Sequence, residues 1–127
     1  MISDPPDSPA IPIVSNIDST KMTVQWTLPK SDGGSPILGY TVECKETTSS
    51  QWRNVNSDPV KETSFVVADL MVNSKYQFRV CAENKAGVGP PSKVSDIYQA
   101  KPPYGNYYPS VLNVKQYMYH IFSIGHL

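Results

Sequence analysis

Histidine and cysteine are scarce in this chain, and what there is stands badly placed for chemistry. Both histidines, His120 and His126, fall in the last stretch of the sequence. Everything before them lacks the one side chain whose unperturbed pKa lies near neutrality, and with it the commonest general base. The carboxylates Glu43, Glu46, Asp58, Glu62, Asp69 and Glu83 are scattered without an evident pair. Two cysteines, Cys44 and Cys81, with distant histidines give no zinc-ligand spacing. The Asp32-Gly33-Gly34 turn lacks the following helix and lysine that a phosphate-cradling loop requires. An enzyme, a metal centre and a bound cofactor are therefore all unexpected.

Other absences narrow the class further. Eleven basic and eleven acidic residues cancel, with no basic stripe, so electrostatic binding of nucleic acid is not expected. The first residues, Met1-Ile2-Ser3-Asp4-Pro5-Pro6, have no apolar core of the kind a signal peptide needs. None of Asn16, Asn54, Asn56 and Asn73 is followed by a hydroxyl residue at the second position, so no glycosylation sequon is present there. The apolar stretch near the C-terminus is too short, and too broken by Asn, Lys, Gln and His, to span a bilayer. No helical period of useful length occurs before residue 110.

What the chain does have is alternation. Met22, Val24 and Trp26 share one parity and Thr23, Gln25 and Thr27 the other. The same pattern recurs at Leu38, Tyr40, Val42 and Cys44, and at Tyr76, Phe78, Val80 and Ala82. Period-two alternation over short runs predicts half-buried strands, one face to a core and one to water. Strands are expected at about 11–14, 21–28, 38–46, 51–54, 64–68, 76–83 and 93–100. The first is an edge strand because Pro12 interrupts it. In the last, the inward parity is open between Ile97 and Tyr98. Apart from Pro12, the twelve prolines fall between these runs or in the tails, and Ser31-Asp32-Gly33-Gly34-Ser35-Pro36 is a dense turn signal. Seven short strands with turns at such intervals predict an all-β, seven-stranded antiparallel β-sandwich. A domain of about 95 residues buries roughly 60–65% of its unfolded surface, enough for one core without metal or disulfide.

Parity also separates the cysteines. Cys44 shares the inward set with Tyr40 and Val42, whereas Cys81 opposes Val80 and is expected to face water. Side chains on opposite faces of a sheet cannot meet the geometry of a disulfide, so two free thiols and a reducing compartment are expected.

The marks in combination resemble a fibronectin type III domain: Pro9, Trp26, Tyr40-x-Val42, Leu70 with Tyr76, and Asn84-x-x-Gly87-x-Gly89-x-Pro91-Ser92. The resemblance covers about residues 9–101. It leaves residues 1–8 as a linker and 102–127 as a tail that reads as a disordered terminus. It implies an immunoglobulin-like sandwich with Trp26, Tyr40, Val42, Leu70, Tyr76, Phe78 and Val80 in the core. Leu70 and Tyr76 correspond to its tyrosine corner, in which a phenol oxygen returns to upstream backbone. The run from Ser31 to Glu43, then Trp52, then Tyr76 to Gly89 is similar to modules of titin, twitchin-like kinases and myosin-binding protein C. The implication is a non-catalytic spacer and docking module in a tandem array on the thick filament, cytoplasmic and in the A-band of the sarcomere. Its implied partners are neighbouring fibronectin or immunoglobulin modules and myosin or other thick-filament proteins, with no membrane and no nucleic acid. The competing reading is the same fold in an extracellular receptor or adhesion protein. The adhesive Arg-Gly-Asp and the cytokine-receptor Trp-Ser-x-Trp-Ser are both missing.

Two departures from the resembled modules stand out. Cys44-Lys45 stands where those modules usually carry Lys-Arg, which weakens any charge-based docking on that strand. Residues 104–127 match no such module. In the tail, Val111, Val114, Met118, Ile121 and Phe122 would share one helical face, so an amphipathic docking helix competes with disorder, and 117–124 fits an aggregation window. Two readings of Trp52 stay open, packing over the sheet edge or a partly exposed anchor for a partner. Lys45, Arg53, Arg79 and Lys85 are the charged candidates for that partner surface, against a merely solvated face.

Overall fold

A computed structural model describes residues 2–103. The expectations for a tail helix or an aggregating segment lie outside the described residues. Among the described residues eight strand segments form: β1 (Ile13–Ser15), β2 (Met22–Gln25), β3 (Gly39–Glu46), β4 (Arg53–Asn54), β5 (Ser64–Val67), β6 (Lys75–Asn84), β7 (Gly87–Val88) and β8 (Tyr98–Gln99). One sheet has the order β1-β2-β5; the other has β4-β3-β6-β7, with β8 also on β6. Every pairing is antiparallel. The expected all-β sandwich is what forms, with only Tyr98–Gln99 regular in the last expected strand and an additional short strand at Gly87–Val88.

Alternation decides which residues the sheets enclose. In the first sheet, Met22 and Val24 stand opposite Val67 and Phe65. In the second, Tyr40, Val42 and Cys44 stand opposite Ala82, Val80 and Phe78. These are the buried sets of both sheets, so the two inner faces interdigitate as one core. Trp26 is 5% exposed and meets Tyr40 edge-on, with ring centroids 5.4 Å apart and planes at 64°, an arrangement aromatic quadrupoles favour. Although β2 ends at Gln25, the Trp26 amide still donates to the Thr63 carbonyl at 3.0 Å, so pairing with the next strand continues past it.

The segment 92–97 departs from the regular strand expected over 93–100. Ser92 and Ser95 each donate their amide to β6, at the Val80 and Phe78 carbonyls, both 2.8 Å. In return the amides of Val80 and Phe78 donate to the two serine hydroxyls, at 3.0 and 2.9 Å. Three residues here span two on β6, so one is left over and the alternation slips. That slip is why parity alone does not decide between Ile97 and Tyr98. Tyr98 packs on the core and Ile97 is exposed.

Three further details differ from expectation. Pro12 is buried and β1 starts only at Ile13. Cys81 does sit on the outer face, opposite Thr41, but it is only 9% exposed. Glu43 and Arg79 lie close enough to act on its thiol, so outward parity does not bring it to water. Residues 1–8, read as a linker, are in part docked on the fold. The Asp4 and Asp7 amides donate to the Gly33 and Ser31 carbonyls at 2.9 and 3.0 Å, and Pro6 is buried. The cause is Gly33 and Gly89, where a Cβ would overlap the carbonyl oxygens of Asp4 and Pro6. Without side chains these two positions let the backbone of the leader come close.

Candidate interaction surface

The outer face of the β3–β6 sheet carries the polar side chains that the pleat turns away from the core. Register sets their neighbours. Glu43 on β3 stands opposite Arg79 on β6, and Lys45 opposite Gln77. Arg53 on β4 stands opposite Cys44, so Trp52, one residue earlier, comes level with Lys45. The indole lies beneath two cations: the Arg79 guanidinium is 4.3 Å from its ring centroid and the Lys45 Nζ 5.8 Å. Arg79 also donates Nε–H to a Glu43 carboxylate oxygen at 2.7 Å. Lys45 donates to the carbonyls of Ser49 and Glu46 at 3.1 and 3.4 Å. Trp52 is therefore half-buried under charged side chains that are themselves tied down. Such a cation–π stack contributes about 0.5–1 kcal/mol at an exposed site and more when desolvated.

Of the four charged candidates, this site gathers two. Arg53 has the parity of Cys44 and hangs exposed beyond the sheet margin, on the other side of its strand from Trp52. Lys85 is exposed in the turn that joins β6 to β7, six residues from Arg79, or roughly 20 Å along a strand. The four do not converge on one face, because β4 is short and β6 is long. Glu43 was not foreseen as a member. Its partner is set by cross-strand register, which one strand read alone cannot supply.

Asn84 carries a second constellation that a motif reading undervalues. It is only 2% exposed, and both amide hydrogens and both oxygen lone pairs are used. Nδ2 donates to the carbonyls of Asp4 and Asp32 at 2.7 and 2.6 Å. Oδ1 accepts from the amides of Ala86 and Gly87 at 2.8 and 3.2 Å. An asparagine three residues before a glycine signals the local half of this arrangement, an Asx-type turn. The reach back to Asp4 has no local signal.

Chemically reactive groups are muted. Burial pushes the Cys44 thiol up to about 11, with Arg53 pulling it down and Glu46 pushing it up. Burial raises Cys81 too, helped by Glu43 and opposed by Arg79. Neither is a thiolate at neutral pH, the form that reacts. Both are free. Among the described residues no group of three or more His, Cys, Asp or Glu could hold a metal ion, and no helix is long and apolar enough to cross a membrane.

Comparison with known proteins agrees with this geometry. The family model described as fibronectin type III domain matches residues 7–98. Human Myomesin-2 is 42% identical over 86 residues, which is 68% of this chain and 6% of that protein. Mouse cardiac-type myosin-binding protein C is 38% identical over 104 residues, 82% of this chain and 8% of that protein. The chain thus spans under a tenth of the length of these relatives. A crystal structure of three consecutive titin domains superposes with a TM-score of 0.75 at 40% identity, covering 78% of this chain and 33% of that one. The antiparallel sandwich, the Trp26 core and a family match over most of the sequence converge: this chain belongs to the fibronectin type III domain family.

Proposed function

We propose that this chain works without catalysis, as a spacer and docking module within a tandem array of a striated-muscle protein. Its neighbours are fibronectin or immunoglobulin modules of the same polypeptide. The observation that carries this reading is the placement of the two ends. The leader is fastened beside Asn84, at one end of β6. At the other end, Ala100 exchanges backbone hydrogen bonds with Asn73 and Ser74, and the Lys101 amide donates to the Asp18 carbonyl. β6 runs for ten residues between these points, so the chain passes in and out at opposite poles roughly 30 Å apart. A module of that shape adds length to an array and leaves its sheet faces open for partners.

The relatives support the setting. They include a protein named M-protein of striated muscle and one named for binding myosin. The assignment is to the cytoplasm, at the A-band of the sarcomere, with myosin or another thick-filament protein as partner. Free thiols on opposite faces of one sheet suit a reducing compartment. The docking surface is the Trp52 platform with Lys45 and Arg79; Glu43 offsets one of the two cations, and the remaining net positive charge favours an acidic segment of the partner over a basic one.

Two measurements test this. Small-angle scattering of three copies joined end to end should give an elongated particle that lengthens by one module per copy. A compact particle would end the spacer reading. Cosedimentation with myosin filaments should weaken by about tenfold or more in Trp52→Ala, as for a central aromatic anchor. Unchanged binding would remove the platform from the docking surface.

A further inference from the structure

The N-terminal pole is built around a stretch of backbone. Ser3–Asp7 lies between the turn at 31–35 and the loop at 84–89. Its hydrogen bonds there are made by main-chain groups and one hydroxyl, the Asp4 and Asp7 amides, the Asp4 carbonyl taken by Asn84, and Ser3 Oγ at 2.5 Å from Ser35 Oγ, while the Pro6 ring is buried. Gly33 and Gly89 form the floor, where a Cβ would occupy the space of the Asp4 and Pro6 carbonyl oxygens. Gly33 also has φ +80°, which favours glycine for a second reason. A groove that recognises main chain, with two prolines restricting the ligand's own freedom, is a peptide site in all but covalent connection.

The alternative route for holding this end is weak. β1 pairs with β2 over three residues only, and Pro12 just before it has no amide to donate. Asn84, by contrast, stands on the long central strand of the opposite sheet.

We propose that this pole is a groove for an extended, proline-containing peptide whose resident ligand is the chain's own Ser3–Asp7, held as a releasable clasp that passes tension at the N-terminal end into β6 as well as β1. The mechanical part rests on the array reading above; the groove does not. A tethered ligand has an effective concentration in the millimolar range, so added peptide competes poorly and the site is best read through its own occupant.

Amide hydrogen exchange on the full chain provides that reading. The Asp4 and Asp7 amides should be protected in the parent protein. In Gly89→Ala the new methyl collides with the Pro6 carbonyl. In Asn84→Asp the two donors become an oxygen facing the carbonyls of Asp4 and Asp32. Each variant should lower protection at Asp4 and Asp7 by about tenfold or more while the Phe78 and Val80 amides hold theirs, the signature of local opening. Unprotected Asp4 and Asp7 in the parent, or loss spread evenly over β6 in both variants, overturns the groove. Pulling the full chain from its ends should then show an early event releasing about ten residues, ~35 Å, absent from both variants. A single event in the parent overturns the clasp, and leaves the spacer reading to stand or fall on the scattering of joined copies.

Discussion

The Met71 amide donates to the hydroxyl of Tyr76 at 2.8 Å. This bond fastens the chain where it crosses between sheets, just after Asp69 turns it at φ 59° and Leu70 enters the core. The other core tyrosine behaves in the opposite way. The Tyr40 hydroxyl is buried with no partner among the described residues, and burial raises its pKa.

Tyr76→Phe and Tyr40→Phe therefore remove the same atom to different effect. At Tyr76 the change should cost about 1 kcal/mol, the net worth of one hydrogen bond. Met71 is largely exposed, so water can recover part of the loss. At Tyr40 the change removes a desolvated polar group and should be neutral or stabilising by up to about 1 kcal/mol. Urea titration of the two variants beside the parent checks both. Equal losses would mean that the Tyr40 hydroxyl finds a partner in solution.

Trp26→Ala should damage the core far more than either tyrosine change. The ring is almost wholly buried between the sheets and packed edge-on against Tyr40, and truncating such a residue costs about 3–5 kcal/mol. Against a total of about 5–15 kcal/mol this brings the domain close to unfolding. A thermal melt within a few degrees of the parent would show that the sheets close without it.

How far such features were legible in the sequence depends on whether their cause is local. The strands around Val24, Val42 and Phe78 were plain because each residue's face follows from its own parity, and Trp26 and Tyr40 share the core for that reason. The slip at 92–97 was hidden, because serine hydroxyls stand in for main chain and no alternation rule anticipates that. The clasp was hidden for a related reason. Gly33 and Gly89 look like ordinary turn glycines until the leader is placed against them. The cluster at Trp52 was half legible. Its residues could be named, but only the register of β3, β4 and β6 shows that Arg79 and Lys45 meet there while Arg53 and Lys85 do not.

Stability should fall as the solution turns alkaline, and Cys44 is one cause. Its thiol ionises near 9.0 when unperturbed and at about 11 in the fold. Below pH 9 both states hold the proton and its contribution is constant. Between the two values the unfolded chain sheds a proton that the folded one keeps, so stability drops with rising pH, by up to about 1.4 kcal/mol per pH unit. Cys81 and Tyr40 are shifted in the same direction, so some slope remains without Cys44. In Cys44→Ala the deficit relative to the parent should shrink by about 1–2 kcal/mol between pH 8 and pH 10.5. Urea midpoints across that range measure it, and a constant deficit would mean that Cys44 contributes no slope.

Ser92→Ala and Ser95→Ala should each cost more than an average serine truncation. Both residues are buried, and each hydroxyl does two things. It accepts a β6 amide, Val80 for Ser92 and Phe78 for Ser95, and it donates to the carbonyl one residue on, Lys93 or Asp96. Alanine keeps the serine's own backbone bond to β6 but leaves the β6 amide with nothing to meet. An unpaired buried donor costs about 1–3 kcal/mol, so the double variant should lose about 2–6 kcal/mol. Threonine should restore much of it, since it returns the hydroxyl and tolerates extended backbone. Amide exchange gives the discriminating signal. In Ser92→Ala the Val80 amide should exchange faster while Phe78 is spared, and in Ser95→Ala the reverse. Losses near the ±0.5 kcal/mol of ordinary surface changes, with both amides still protected, would show that the last strand can shift register and pair with β6 through its main chain.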